Sequence, residues 1–255
     1  MEKQQLETML FIEKSYHSKI SIKSHSKRRV IADCLNKLTD DEHVFDDIFA
    51  LTMNIFDRFI SKTSSAISND RYYQLIALSC YNIAKKLRSN VSINNENEKT
   101  SLIFSTENYS DEEIFNAEQI ISNTLDWDLA YFVPHDYIQL LLKYFLPLEN
   151  RAQICLHVHI LLSIAICELN TLAILPSLLA CACLKAAIKG LSLQNNYQID
   201  ELILKTMNCN LIELNHTQYT IEQLFQSCLQ NIKPSPRRRC LAPIDTSSQQ
   251  CTKVK

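Results

Sequence analysis

A single glycine, Gly190, occurs among the 255 residues. Loops that cradle phosphates, such as G-x-G-x-x-G or G-x-x-x-x-G-K-[ST], need several glycines for close approach of the backbone. Nucleotide-binding enzymes built on them are excluded. So little glycine also argues against a turn-rich β architecture and for helices. None of the ten cysteines forms a C-x-x-C pair. Cys181 and Cys183 would diverge on a helix, so no zinc site is expected. The rings of His157 and His159 would diverge likewise, and packed or partly exposed histidines are the better reading. No uncharged apolar run reaches the ~18 residues that span a membrane. The start, Met1 to Gln5, is polar and lacks the apolar run of a secretory signal. Reduced cysteines, largely buried in apolar helices, are therefore expected in an intracellular protein. No nucleophile–base–orienter set or pair of carboxylates stands at a suitable spacing, so an enzyme and a cofactor are not expected.

What remains is ordinary for a globular protein, with 46% apolar and 21% charged residues and a net charge of −2. The patterning is helical. Val44, Ile48, Leu51, Ile55 and Phe59 recur at helical spacing, widened by Phe45, Phe49, Phe56 and Ile60. A face that broad has neighbours on several sides. Ile76 to Leu87 is nearly free of charge until Lys85 and Lys86, as expected of a helix inside a bundle. The pattern predicts helices over 3–16, 27–38, 40–61, 70–88, 98–105 and from 111 to about 125. Thr39 with Glu42, and Ser110 with Glu113, read as capping boxes that open the third and sixth of these. The sixth is read with Ile114, Phe115, Ala117, Ile120, Ile121 and Leu125 inward. A second set is predicted from Pro134 to Phe145 and over 150–168, 176–189, 197–207 and 210–231, with Pro176 opening and Gly190 closing its third member. Residues 232–255 carry six basic groups and one acid, lose the apolar periodicity and read as a disordered tail.

Met53 to Ser61, Met-Asn-Ile-Phe-Asp-Arg-Phe-Ile-Ser, resembles the N-Y-L-D-R-F-L-S signature of the cyclin box, and Ile83-Ala-Lys-Lys86 resembles the family's V-A-S-K. Val133-Pro-His-Asp-Tyr-Ile138 is similar to the T-P-H-D-F-I that opens the second box of D-type cyclins. Leu125-Asp-Trp-Asp-Leu129, Leu175 to Ala180 and Lys189 to Leu193 continue the likeness in order, so that it covers residues 6–231. The resemblance implies an all-α protein of two tandem five-helix bundles. Its parts would be an N-terminal helix and connector (1–26), a first box (27–129), a second box (130–231) and the basic tail (232–255). It implies a non-catalytic subunit that binds and activates a cyclin-dependent kinase of the type bound by D-type cyclins, in nucleus and cytoplasm, to promote cell-cycle entry.

Residue by residue, Lys86 and Glu118 match the lysine and glutamate that the family directs at the kinase. From charge alone they would be a surface ion pair worth ~0–1 kcal/mol. Asp57 and Arg58 match a pair that the family uses inside the fold. Arg28, Val30, Ile31 and Gln74 align with the docking patch that accepts R-x-L motifs of substrates and inhibitors. Lys27 and Cys34 replace its methionine and tryptophan, and Lys37 stands where an acid is frequent, so weak or altered docking is expected. The L-x-C-x-E motif for the retinoblastoma pocket is absent, which puts direct pocket binding in doubt. Ser235-Pro-Arg-Arg238 fits the consensus that such kinases phosphorylate, against the plainer reading of a solubilising basic tail. Two rivals stand beside the kinase reading: a transcription-associated cyclin-fold protein and a helical scaffold without kinase activation. The first would need basic stripes on folded helices. The excess here sits in the tail, so no nucleic acid is expected, and a viral or diverged cyclin fits as well as an ordinary one.

Overall fold

The computed structural model describes residues 2–17, 27–41, 46–63, 70–88, 109–145, 150–193 and 196–231. Among them lie ten α-helices and no strand: α1 (Glu2–His17), α2 (Arg28–Asp41), α3 (Asp46–Lys62), α4 (Asp70–Arg88), α5 (Asp111–Thr124), α6 (Pro134–Phe145), α7 (Arg151–Cys167), α8 (Pro176–Gly190), α9 (Asn196–Met207) and α10 (Leu211–Asn231). A 3₁₀ turn, Leu169–Thr171, follows α7. None of these helices is long and apolar enough to cross a membrane.

Two helices organise the rest. In the first bundle α4 touches α2, α3 and α5, and in the second α8 touches α6, α7, α9 and α10. The sequence explains why these two lie innermost. On α4 every residue from Leu75 to Tyr81 is buried, with Tyr73, Ile83 and Ala84. On α8 the small side chains of Ala180, Ala182, Cys181 and Cys183 are wholly enclosed, which lets the surrounding helices approach closely. Ile48, Leu51, Ile55 and Phe59 of α3 are buried as their spacing predicts, joined by Phe49 and Phe56. The eight cysteines among the described residues are free thiols, four buried and four half-buried. Cys155 is one of the half-buried set, although it lies in an apolar run.

Several boundaries differ from the sequence reading. Thr39 does not open a helix. It lies inside α2, buried, and its hydroxyl donates to the carbonyls of Leu35 and Asn36 at 3.3 and 2.7 Å. The hydroxyl is thus spent on the preceding turn, and α3 begins at Asp46. Ser110 does act as the N-cap of α5: the Glu113 amide donates to Ser110 Oγ at 3.1 Å, and the Ser110 amide donates to the Glu113 carboxylate at 2.9 Å. Gly190 is the last helical residue of α8, but the left-handed residue that stops the helix is Ser192, at φ 55°. The Leu193 amide then reaches the Ile188 carbonyl at 3.2 Å and the Ser192 amide that of Lys189 at 3.0 Å, which is a Schellman closure with serine in the glycine position. Glu42, the Asn69 that would cap the helix over 70–88, the helix expected over 98–105 and residues 232–255 lie outside the described residues.

Polar anchors hold the helices together where α2 meets α7 and α3 meets α6 and α7, and a further one ties α1 to α8. Arg28 sends Nε and Nη2 to the Asp57 carboxylate at 2.8 and 2.9 Å. The same guanidinium donates to the carbonyls of Cys167 and Ile166, both at 2.9 Å, which α7 leaves without helical partners. Arg58 does not pair with its neighbour Asp57; its Nη2 donates to Asp128 at 3.1 Å and it lies over the Tyr131 ring. From α1, the buried Glu13 accepts the Ser177 amide at 2.6 Å, a carboxylate placed on the positive end of α8.

Candidate functional site

At its C-terminal end α4 carries Lys85, Lys86 and Arg88, basic groups suited to the negative pole of the helix. Beside it runs α5. Lys86 Nζ donates to Glu118 Oε2 at 2.6 Å, bridging the two helices on one outer face. The lysine is half exposed, whereas the glutamate is mostly covered. Apolar side chains stand in solvent nearby in sequence on the same two helices: Leu87 next to the lysine, and Phe115 and Ile120 on α5. Phe115 and Ile120 do not point inward, as the sequence pattern suggested. Ala117, Ile121 and Leu125 fill the inner face at helical spacing, and these two fall to either side of that stripe. A flat helical surface with a charged pair and uncovered apolar residues has the make-up of a partner-binding patch.

Arg88 was not singled out in the sequence, yet it holds this face in place. Its guanidinium donates to both oxygens of Asp136 at 2.5 and 2.9 Å and to the Tyr131 carbonyl at 3.3 Å, and Asp47 lies 3.6 Å away. The Asp136 hydrogen bonds, partly offset by burial, raise the Arg88 pKa. Burial likewise pushes the Asp47 carboxyl up, against the pull of Arg88. Asp136 also accepts the Val133 amide at 2.8 Å, so it caps the entrance to α6. The end of α4 is thereby fixed to the start of the second bundle. The Pro134-His-Asp136 stretch was the available signal, since an acid in a first helical turn invites a basic partner.

The other end of α4 and the start of α2 hold the residues aligned with a docking patch. Val30 is exposed, Ile31 is buried and Gln74 is half-buried, its Oε1 accepting from the Tyr109 hydroxyl at 3.3 Å. Arg28 is a correction: it is 2% exposed, consumed by Asp57 and the end of α7, and offers nothing to an incoming peptide. Lys27 is paired with Asp70, and burial raises the pKa of the Cys34 thiol. The expected patch is therefore reduced on its outer side to Val30 and its neighbours. Ser235 lies outside the described residues.

His159 sits edge-to-face on His135 with ring centroids 5.1 Å apart, and its Nε2 lies 3.5 Å from Cys155 Sγ. This is a packed cluster in the second bundle, and no metal-holding group of three such residues occurs among the described residues.

Comparison with known proteins covers most of the chain. The family model described as "Cyclin, N-terminal domain" matches residues 1–130. G1/S-specific cyclin-D1 of Homo sapiens is 27% identical over 221 residues, covering 82% of this chain and 72% of the relative. The protein of the same name from Danio rerio is 26% identical over 210 residues, covering 79% and 70%. Among solved structures, a viral cyclin from herpesvirus saimiri superposes with a TM-score of 0.71 at 17% identity, over 89% of this chain and 97% of that one. At that identity the superposition speaks for the fold.

Proposed function

The chain belongs to the cyclin family, and from that membership we propose that it is the regulatory, non-catalytic subunit of a cyclin-dependent protein kinase, of the kind served by D-type cyclins, and promotes entry into the division cycle. The observation that carries this reading is the Lys86–Glu118 bridge, 2.6 Å long, with Phe115 uncovered one turn before the glutamate and Leu87 uncovered next to the lysine. The kinase element it would take is a mobile helix. Free amides at one end of such a helix need an acceptor, and free carbonyls at the other need a donor. Glu118 and Lys86 supply one of each, and the apolar residues supply burial. Binding only the arrangement of the kinase in which that helix is seated shifts the population toward the active state by the difference in affinity. Substrate phosphoryl transfer stays with the kinase, where a seated helix glutamate and lysine are required.

The test is a pull-down from cells followed by a kinase assay, with Lys86→Ala and Glu118→Ala beside the unaltered chain. Each substitution is expected to weaken the complex by about 2–5 kcal/mol, since the remaining charge is left unpaired at a closed interface. Folding stability should change by only ~0–1 kcal/mol for an exposed pair. Kinase binding of undiminished strength by both variants would overturn the reading. Two finer parts have their own measurements. R-x-L peptides from substrates or inhibitors should bind weakly, and a titration giving tight binding would contradict that. Mass spectrometry of the active complex tests Ser235 as a phosphorylation site against a solubilising tail; an unmodified serine removes the site.

A further inference from the structure

The second bundle repeats the charged bridge of the first. Lys189 stands one residue before the end of α8, as Lys86 stands two before the end of α4. Lys189 Nζ donates to both oxygens of Glu222 on α10, at 2.9 and 2.7 Å. In each bundle the lysine closes the innermost helix and the glutamate lies on the last one. The sequence separations are 32 and 33 residues. The asymmetry of exposure also recurs: lysine 52% and glutamate 12% in the first pair, 56% and 24% in the second. One helical turn before each glutamate stands an exposed aromatic ring, Phe115 at 56% and Tyr219 at 61%. Fold-level repetition requires none of these four likenesses, because an exposed ion pair adds ~0–1 kcal/mol to stability.

Beside this second pair lies a groove of ≈ 550 Å³ between α7, α8 and α10. Ile160, Leu161, Ala186, Ala187 and Phe225 are its apolar lining, and Lys189 and Glu222 line it too. Gly190 leaves the space beside it open, with no atom within 4 Å of where a Cβ would sit. We infer that this groove is a second docking surface, which takes one amphipathic helix of a partner protein, with its carbonyl end or an acidic side chain set over Lys189. The charges choose that occupant. Gln218 Nε2 also donates to Glu222, at 2.7 Å, so the carboxylate already holds two donors while the more exposed ammonium faces solvent. The unfilled demand is for an acceptor. The chain's own residues 232–255, with six basic groups and one acid, are the wrong sign for that position. The likeness to the first pair leans on reading Lys86 and Glu118 as a docking pair; the groove and its charge do not.

The test selects, from a phage-displayed library of amphipathic helices, those that bind the full chain, with excess soluble Tyr219→Asp variant as competitor. Both Tyr219 and Lys189 are exposed, so the two single variants, checked by thermal melting, should fold as the parent does. The recovered helices should carry apolar residues at i, i+3 or i+4 and i+7 and an acid at one end. By fluorescence titration they should bind Tyr219→Asp and Lys189→Glu at least roughly tenfold more weakly than the parent chain. Exchange of the helix acid for lysine should restore binding to Lys189→Glu, and Lys86→Glu should leave it unchanged. Loss of kinase binding in Lys86→Glu alone concerns the first pair and not this one. The inference is overturned if no helix distinguishes the parent from the two variants. It is overturned equally if removal of residues 232–255 tightens binding, which makes the tail the occupant, or if the chain forms a dimer that Tyr219→Asp disperses.

Discussion

Arg28 illustrates how far a residue's role depends on which way it faces. It stands at the first position of α2, in a stretch that aligns with a surface patch, yet its four hydrogen bonds all run inward. Removing it would leave the Asp57 carboxylate and two carbonyls of α7 buried without their donors. Arg28→Ala is expected to cost about 3–5 kcal/mol, the penalty for stranding one partner of a buried pair, read from urea unfolding curves. Arg28→Lys should restore only part, because an ammonium cannot make the paired contact to both carboxylate oxygens. Gly190 gives the opposite sign. It is exposed, lies within α8, does not adopt a positive φ and has open space beside it. Gly190→Ala should therefore stabilise the chain by about 0.5–1 kcal/mol through the lower entropy of the unfolded state. A lower melting temperature in that variant would show that the residue is strained in a way its backbone angle does not reveal.

Among the elements, α5 is the one whose two ends are fixed by separate devices. At its start, Glu113 caps Ser110 and accepts Arg71 Nη1 at 2.8 Å, while Arg71 lies over the Tyr109 ring. The Arg71 guanidinium first, then the Ser110 amide, pull the Glu113 carboxyl from its ordinary 4.5 down to about 2. A carboxyl that ionises more readily when folded stabilises the fold at pH above about 4.5. That contribution fades as the pH drops toward 2, where the folded carboxylate too is protonated. Urea midpoints for the parent and Glu113→Gln should thus differ at pH 6 and converge only as the pH nears 2; parallel curves would contradict the assignment. At its far end, the left-handed Asp126 and Trp127 close α5 through the Trp127 amide to Ser122 and the Asp126 amide to Asn123. Lys62 donates to the freed Thr124 carbonyl and to Asp126, both at 2.9 Å. The aspartate suits the left-handed position better than most residues; for the exposed tryptophan at the same backbone angle, nothing in its contacts beyond the 3.1 Å bond from its indole to Asn123 accounts for the choice.

For the whole molecule, the question is what keeps the two bundles in one orientation, since a kinase meeting both would bind a rigid pair better than a loose one. Arg88 is the strongest candidate on the α4 side. Arg88→Ala should lower stability by roughly 1.5–3 kcal/mol for the charged hydrogen bonds lost. It should also weaken kinase binding although Arg88 is not itself on the exposed face. Unchanged affinity in a measurably destabilised variant would show that the end of α4 is held well enough without the clamp. Most of the fold was readable beforehand. The 3.6-residue period of Ile48, Leu51, Ile55 and Phe59, the charge-free run of α4 and the proline at the head of α8 each act locally, through the stripe a helix must bury or the amide a proline lacks. What misled was also local: a threonine and glutamate at capping distance around Thr39, where the threonine hydroxyl bonds back to Leu35 and Asn36 and the helix runs on to Asp41. Phe115 and Ile120 were placed inward because hydrophobicity alone does not tell a core residue from one awaiting a partner.

The sequence by itself determined the helical class, the two sets of helices and their innermost members, because periodicity, proline and the scarcity of glycine act over a few residues. Its likeness to cyclins picked out Lys86 and Glu118. Only the tertiary structure decided that these two meet at 2.6 Å, that Arg28 ties α2 to α3 and α7, that Arg88 reaches Asp136, and that Lys189 finds Glu222. Those pairings join residues 29 to 139 positions apart. Which charge meets which at such a distance is fixed by how the apolar faces pack, and the charges then settle for the partners that packing brings within reach.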